Sequence, residues 1–209
     1  MAIAPLALLA ACETPVATWR MDETSGSTMV DSAGGHSGTL SNVIVGRPGV
    51  SGRAYEFNGT SSIVRVPDGP GLDPGGADFT YSAWIKTTTL PPNATSDIVR
   101  KGLSTTSGGD YKMELYPVNG SARARCFIKG STGQATAGGG NDLGDGAWHH
   151  IVCRRNGHAL TLSIDGTTVR TTTVAVGSIS NNAEVVIGAK STSQDFYDGL
   201  IDDVQIVMG

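Results

Sequence analysis

The sequence predicts an all-β protein built from two packed antiparallel sheets. Three observations carry this. Only 16% of the 209 residues are charged, and 29 are Gly, a composition of many short strands and tight turns. Helical periodicity is absent. Twelve strand-like runs recur, separated by Gly/Asn/Asp/Ser/Pro clusters.

The runs follow one another in regular order. Val16–Met21 opens the pattern. Ala54–Phe57 and Ile63–Val66 flank the turn dipeptide Asn58-Gly59. Phe79–Lys86 and Asp97–Lys101 come next. Lys112–Pro117 and Ala122–Lys129 are joined through Asn119-Gly120. Ala147–Arg155, Ala159–Ile164 and Thr167–Thr172 are separated by Asn156-Gly157 and Asp165-Gly166. Such dipeptides accept positive φ cheaply. Glu184–Ile187 and Gly199–Val207 close the series. Within Ala159–Ile164, Leu160, Leu162 and Ile164 alternate with Thr161 and Ser163, so one face is buried and the other wet. Arg65, Arg123 and Arg125 also alternate with apolar or small neighbours. The Gly/Ser/Thr-rich stretches 102–110 and 130–141 read as long loops, where binding residues often sit.

Composition excludes several function classes. The net charge is −4, and no Lys/Arg run exceeds two residues (Arg100-Lys101, Arg154-Arg155). That argues against phosphate-driven nucleic-acid binding. No apolar run reaches the ~20 residues a membrane-spanning helix needs. The length suits one sandwich domain over residues 16–209.

Residues 1–15 form a separate apolar lead, and Leu9-Ala10-Ala11-Cys12 has the form of a bacterial lipobox. Yet no Lys or Arg precedes the apolar stretch, and it is shorter than an ordinary secretory signal. Two readings stand: a lipoprotein leader with Cys12 lipidated at the cell surface, or an uncleaved arm that docks on another assembly subunit. The three cysteines, Cys12, Cys126 and Cys153, match no CxxC pattern. Cys126 and Cys153 fall on two predicted strands that could be neighbours. They read either as two buried thiols or as a cross-strand disulfide.

Five pieces in order carry a resemblance: WRMDETSGSTMVDSAGGHSGTL (19–40), YEFNGTSSIVRVPD (55–68), FTYSAWIKT (79–87), DGAWHHIVCRRNG with LTLSIDGTTV (145–169), and FYDGLIDDVQI (196–206). Together they resemble the laminin-G-like (LamG) / concanavalin A-like lectin domains of bacteria and phage. The resemblance implies a two-sheet antiparallel jelly-roll sandwich. It also implies an extracellular binding module, most simply one for carbohydrate on a cell surface. The alternative it implies is a structural virion subunit, a phage minor tail or capsid-decoration protein, that uses the lectin-like domain for assembly or host adhesion.

Three kinds of site follow as expectations. The resemblance implies one structural Ca2+, with Asp22, the Gly26 carbonyl, Thr28 and Asp202 as oxygen ligands; otherwise these carboxylates cap turns. A glycan site needs aromatic faces beside polar groups. Trp19, Trp84 and Trp148 fall at the family's core positions, which leaves Tyr111, Phe196 and Tyr197, with Asp110, Asn141 and Asp142 for polar contacts. For catalysis, no Glu-x-Asp-x-x-Glu arrangement is present. His149-His150 has no nucleophile pattern beside it, and neighbouring strand residues face opposite ways. The expectation is a non-enzymatic domain.

Overall fold

The protein is described by a computed structural model over residues 14–88, 95–190 and 194–209. The apolar lead through Glu13, and Cys12 with it, lies outside the described residues. Sixteen strands appear, and no helix, among the described residues. They are β1 (Thr14–Trp19), β2 (Thr28–Met29), β3 (Gly38–Ser41), β4 (Ile44–Pro48), β5 (Arg53–Asn58), β6 (Ile63–Val66), β7 (Phe79–Lys86) and β8 (Ser96–Lys101). The second half holds β9 (Asp110–Val118), β10 (Ser121–Lys129), β11 (Gln134–Gly139), β12 (His149–Asn156), β13 (Ala159–Ile164), β14 (Thr167–Thr173), β15 (Val185–Ile187) and β16 (Asp198–Met208).

These strands build two eight-stranded antiparallel sheets. The first runs β14-β13-β12-β7-β16-β5-β4, with β1 added alongside β16. The second runs β11-β10-β9-β8-β15-β6-β3-β2. The two-sheet jelly-roll sandwich predicted from the sequence is thus the observed fold. All twelve expected strands are present. Four were not expected: β2, β3, β4 and β11. The stretch 130–141, read as a loop, carries β11, which pairs with β10 from Lys129↔Gln134 to Ala124↔Gly139. Its inward residues are only Ala135 and Ala137, so it lacks the bulky alternation that marks a strand.

Period-2 alternation fixes what each sheet buries. On β9, Tyr111, Met113 and Leu115 enter the core; on β10, Ala122, Ala124, Cys126 and Ile128 do. On β7 the inward set is Phe79, Tyr81, Ala83 and Ile85. Phe79, Tyr81 and Tyr111 form an aromatic cluster between the sheets, with centroids 5.3–5.4 Å apart. Their hydroxyls remain satisfied: Tyr81 donates to Lys112 O at 3.0 Å and Tyr111 to Leu72 O at 3.1 Å. Two of the turn dipeptides, Asn119-Gly120 and Asp165-Gly166, hold positive φ at both residues, the type I′ geometry of two-residue hairpins.

A disulfide joins Cys126 of β10 to Cys153 of β12, with Cα atoms 5.6 Å apart and both residues fully buried. It ties one sheet to the other. The two strands are not neighbours in a sheet; the sulfurs meet because both side chains point inward.

Buried charged groups hold the loops. Asp31 accepts from four backbone N–H groups, those of Thr18, Ala33, Gly34 and His36. Burial works against its charge, but these bonds win and keep its pKa low. Lys101 is wholly buried, with Nζ 2.8 Å from both Asp68 and Asp73 and donating to Asn181 O at 2.6 Å. Asp202 lies on a bulge of β16 and accepts through Oδ2 from Val50 N and Ser51 N, clamping the β4–β5 turn.

Two outcomes are expected. Crosslinking across a 27-residue separation contributes on the order of 3–4 kcal/mol in the chain-entropy picture. Denaturant unfolding of the Cys126→Ala/Cys153→Ala variant, or of wild type in reductant, is expected to show a loss of that size. A loss under ~1 kcal/mol would mean that the sheets hold together without it. Second, burial pushes the Asp202 carboxyl from 3.8 to about 6, against the pull of the Ser51 and Val50 N–H groups. A folded-state pKa raised in this way means that the native state holds the proton more tightly. Stability from this group is present below the unfolded value and is lost as pH rises through that window. Asp202→Asn is therefore expected to flatten the decline in melting temperature between pH ~4 and ~6; an unchanged slope would contradict it.

Candidate functional site

The pleat that sends Tyr111, Met113 and Leu115 inward sends their neighbours outward. Asp110, Lys112 and Glu114 line up on the outer face of β9, and Arg125, Phe127 and Lys129 on that of β10. The register sets Glu114 opposite Arg125, Lys112 opposite Phe127, and Asp110 opposite Lys129. On β8 a bulge between Asp97 and Val99 lets Asp97 face Glu114 and Arg100 face Lys112. Arg100, Asp110, Lys112, Glu114, Arg125 and Phe127, with Ser104, Gln134, Thr136 and Lys190, surround a cavity of about 360 Å³. It lies at the small end of the range for ligand pockets, about 300–1,000 Å³.

Most charges around the cavity are paired. Glu114 accepts from Lys112 Nζ at 2.7 Å and from Arg125 Nε at 2.6 Å. Burial alone would raise its pKa, but the two cations hold it below the ordinary value. Arg100 Nη1 lies 2.7 Å from Asp97 Oδ2, both side chains nearly inaccessible. Burial drives the Asp97 carboxyl upward, to about 7, despite Arg100. Lys190 Nζ sits 3.6 Å from Asp195. Aromatic faces flank the charges: Lys112 Nζ stands 5.7 Å over the Phe127 ring, and the Arg125 guanidinium 4.9 Å over Tyr116.

Asp110 is 0% exposed, as Asp97 is, and neither carboxylate oxygen of either residue has a hydrogen-bond partner among the described residues. Asp97 has the Arg100 ion pair, and Asp110 is in no ion pair among the described residues. Burial raises its pKa, while Arg100, Lys112 and Lys129 pull it back. Arg100 Nε is likewise buried without a hydrogen-bond partner. A buried acceptor and a buried donor with unspent capacity thus face one cavity. Such groups are costly unless something bonds them.

Only one of the six sugar-contact expectations falls here. Asp110 lines the cavity. Tyr111 does not: the pleat sends it into the core, where it is fully buried. Tyr197 is likewise buried (1% exposed), with its hydroxyl donating to Leu200 O. Phe196 is half-buried against the patch of Ile63, Val186 and Ala189. Asn141 and Asp142 are exposed at the far end of β10, where Asp142 Oδ1 accepts from Ala122 N and Gly144 N. Ala122 and Lys129 are seven residues apart on β10, roughly 23 Å, so Asp142 and Asp110 serve different ends of the sheet. Trp19 is core, as expected, but Trp84 is not: its position on β7 faces outward, where it stacks on His150 at 4.8 Å. Trp148 is half-buried. His149 is held at 2.8 Å from Asp165 and 3.1 Å from Asp145.

The carboxylates expected at the calcium site accept from backbone N–H groups. Asp202 spends its two oxygens on three backbone N–H groups, those of Val50, Ser51 and Asp203. Asp22 Oδ1 accepts from Arg53 N. Thr28 belongs to the other sheet, paired with Thr39, and Gly26 is exposed. No cluster of three or more His, Cys, Asp or Glu side chains suited to a metal occurs among the described residues.

The sequence reading missed Arg100, Lys112, Glu114, Arg125, Phe127 and Lys190. A signal existed: charges at 110, 112 and 114 and at 123, 125 and 129, on either side of Asn119-Gly120. The unpaired carboxylate also sets an expectation for stability. Asp110→Asn removes a buried charge without breaking a bond, so melting temperature is expected to hold or rise. A fall of more than ~5 °C would show that the carboxylate is structurally engaged.

Known proteins agree with this architecture. No curated protein matches the chain. Domain 4 of AbnA, a GH43 extracellular arabinanase from Geobacillus stearothermophilus solved with arabinotriose, superposes with a TM-score of 0.69 at 21% identity, over 94% of this chain and 93% of that one. The binding domain of botulinum neurotoxin serotype G gives 0.70 at 12% identity over 92% of this chain and 47% of that one. That of botulinum neurotoxin DC, in complex with SialylT, gives 0.65 at 14% identity, over 92% and 47%. This chain thus spans about half of each neurotoxin chain. At these identities the likeness is one of fold. The family described as the concanavalin A-like lectin/glucanases superfamily (Laminin_G_3) matches residues 58–208, and the chain belongs to that family.

Proposed function

We propose that the chain is a non-catalytic carbohydrate-binding module that takes its ligand in the cavity on the outer face of β8–β11. The observation that carries this is the buried, unpartnered Asp110 carboxylate in a pocket walled by Phe127 and polar side chains. Sugars present hydroxyls to such groups and apolar C–H faces to aromatic rings. That similar folds were solved with arabinotriose and with SialylT supports the class of ligand. The inter-sheet disulfide supports an extracellular or otherwise oxidising setting.

Arrangement of the carboxylates supports the absence of catalysis. Glycoside hydrolysis uses two carboxyl groups about 5–10 Å apart, both reaching the scissile bond. Asp110 and Glu114 lie four residues apart on one strand, roughly 13 Å. Asp97 is nearer Glu114 but is paired with Arg100, and Glu114 is clasped by Lys112 and Arg125.

A glycan array with wild type and Thr136→Trp tests the reading. Thr136 is exposed and lines the cavity, so the indole is expected to block the site and abolish binding without lowering the melting temperature. Absence of any binder, or a binder indifferent to Thr136→Trp, would overturn the reading.

A further inference from the structure

We infer that the cavity takes an acidic sugar, whose anionic group, a carboxylate or a sulfate ester, is held by Lys112 and Arg125. The inference rests on the carbohydrate reading above and names the class of sugar.

The lining carries more positive charge than negative. Arg100, Lys112, Arg125 and Lys190 stand against two carboxylates, Asp110 and Glu114. Exposure widens the difference. The side chains of Lys112, Arg125 and Lys190 keep 20%, 32% and 31% of their surface open, and that of Glu114 only 1%. Both Asp110 oxygens are inaccessible. An incoming group therefore meets ammonium and guanidinium rather than carboxylate. Burial also works against the charge of Asp110 and pushes the Asp97 carboxyl up to about 7, which further thins the negative charge nearby.

Lys112 and Arg125 are the focus of this surplus. Lys112 Nζ lies 2.7 Å from Glu114 Oε2, and Arg125 Nε lies 2.6 Å from Glu114 Oε1. One carboxylate thus serves two cations, and one positive charge is left over. Donors are left over as well. An ammonium carries three N–H groups and a guanidinium five. Glu114 engages Lys112 through Oε2, and Arg125 through Nε and Nη2. A second oxyanion finds donors on both heads while Glu114 stays in place, and a guanidinium suits the oxygens of a carboxylate or sulfate.

The rest of the lining suits a sugar more than a bare anion. Phe127 stands between Lys112 and Thr136 in the sheet and is partly exposed, so it offers an apolar surface to ring C–H groups. Gln134 and Thr136 are exposed on β11 and can bond ring hydroxyls. A neutral sugar would leave the surplus charge unused, and a sugar ammonium would be repelled by it.

The test is saturation-transfer NMR titration at pH 7. The probes are methyl glucuronide, methyl galacturonide and a glucose sulfate ester, with methyl glucoside, methyl glucosaminide and sodium acetate for comparison. The best acidic sugar is expected to bind about 10-fold tighter than methyl glucoside, as a charge-assisted bond allows; a uronate or the sulfate in the lead supports the inference equally and names the anion. Raising NaCl from about 50 mM to about 500 mM shortens the screening length and should weaken the acidic sugar several-fold while sparing the glucoside. Arg125→Gln is expected to weaken it about 10-fold. Glu114→Gln removes the competing carboxylate and is expected to tighten it, a gain that a merely structural Glu114 would not give. Lys190→Gln leaves the Glu114 clasp untouched and should weaken it a few-fold. A glucoside or glucosaminide that binds as tightly as the acidic sugars, affinity indifferent to salt and to Arg125→Gln, or weaker binding by a folded Glu114→Gln would overturn the inference while leaving a carbohydrate module in place. Acetate binding as tightly as the uronates would overturn it too, by showing an anion site without sugar contacts. Failure of every sugar here and on the array would remove the carbohydrate reading itself.

Discussion

The structure depends on the pleat of β9 and β10, because these two strands serve two opposed environments at once. Odd-numbered residues of β9 and even-numbered residues of β10 enter the core. The alternate residues carry Asp110, Lys112 and Glu114 against Arg125, Phe127 and Lys129. Shifting β9 by one residue would bury three charges and expose Tyr111, Met113 and Leu115. Register is therefore fixed from both sides. The disulfide reinforces it: Cys126 sits on the inward row of β10 and is covalently tied to β12 of the facing sheet. Core and cavity are two readouts of one alignment.

The cavity carries charge that a merely structural surface would not keep. Asp97, Arg100, Asp110 and Glu114 are all essentially buried. Burial of charge costs free energy that ion pairs recover only with good geometry. Glu114 recovers it through two cations, and Asp97 in part through Arg100. Asp97 answers by holding its proton near neutrality, which spares the sheet a second full negative charge beside Glu114. Asp110 has no such relief beyond the field of Arg100, Lys112 and Lys129. Residual, uncompensated polarity is what a binding site looks like before its ligand arrives.

The fold was legible from sequence because its signals are local and redundant. Asn-Gly and Asp-Gly turns, the inward Leu160-Leu162-Ile164 row and five ordered motifs all agree. What escaped was structure built from small residues. β11 offers only Ala135 and Ala137 to the core, and β2 is two residues long. The site was half legible. Asp110 was found, but the search began from aromatics near loops, and Tyr111 and Tyr197 prove to be core. Pairing partners such as Glu114 and Asp97 sit on different strands, so their meeting is a property of register, not of sequence spacing.

The location of the cavity also bears on how it would bind. Among the described residues its lining comes from β8, β9, β10 and β11, with Ser104 and Lys190 supplied by loops. Side chains on a sheet stand in fixed rows, and those around Glu114 are further locked by bonds of 2.6–2.7 Å. Such a site is organised before it meets its ligand, so little ordering cost falls on binding. Asp110 pairs with Lys129 of β10, and Arg100 lies between Lys112 of β9 and Val186 of β15, so both backbones are held in the sheet.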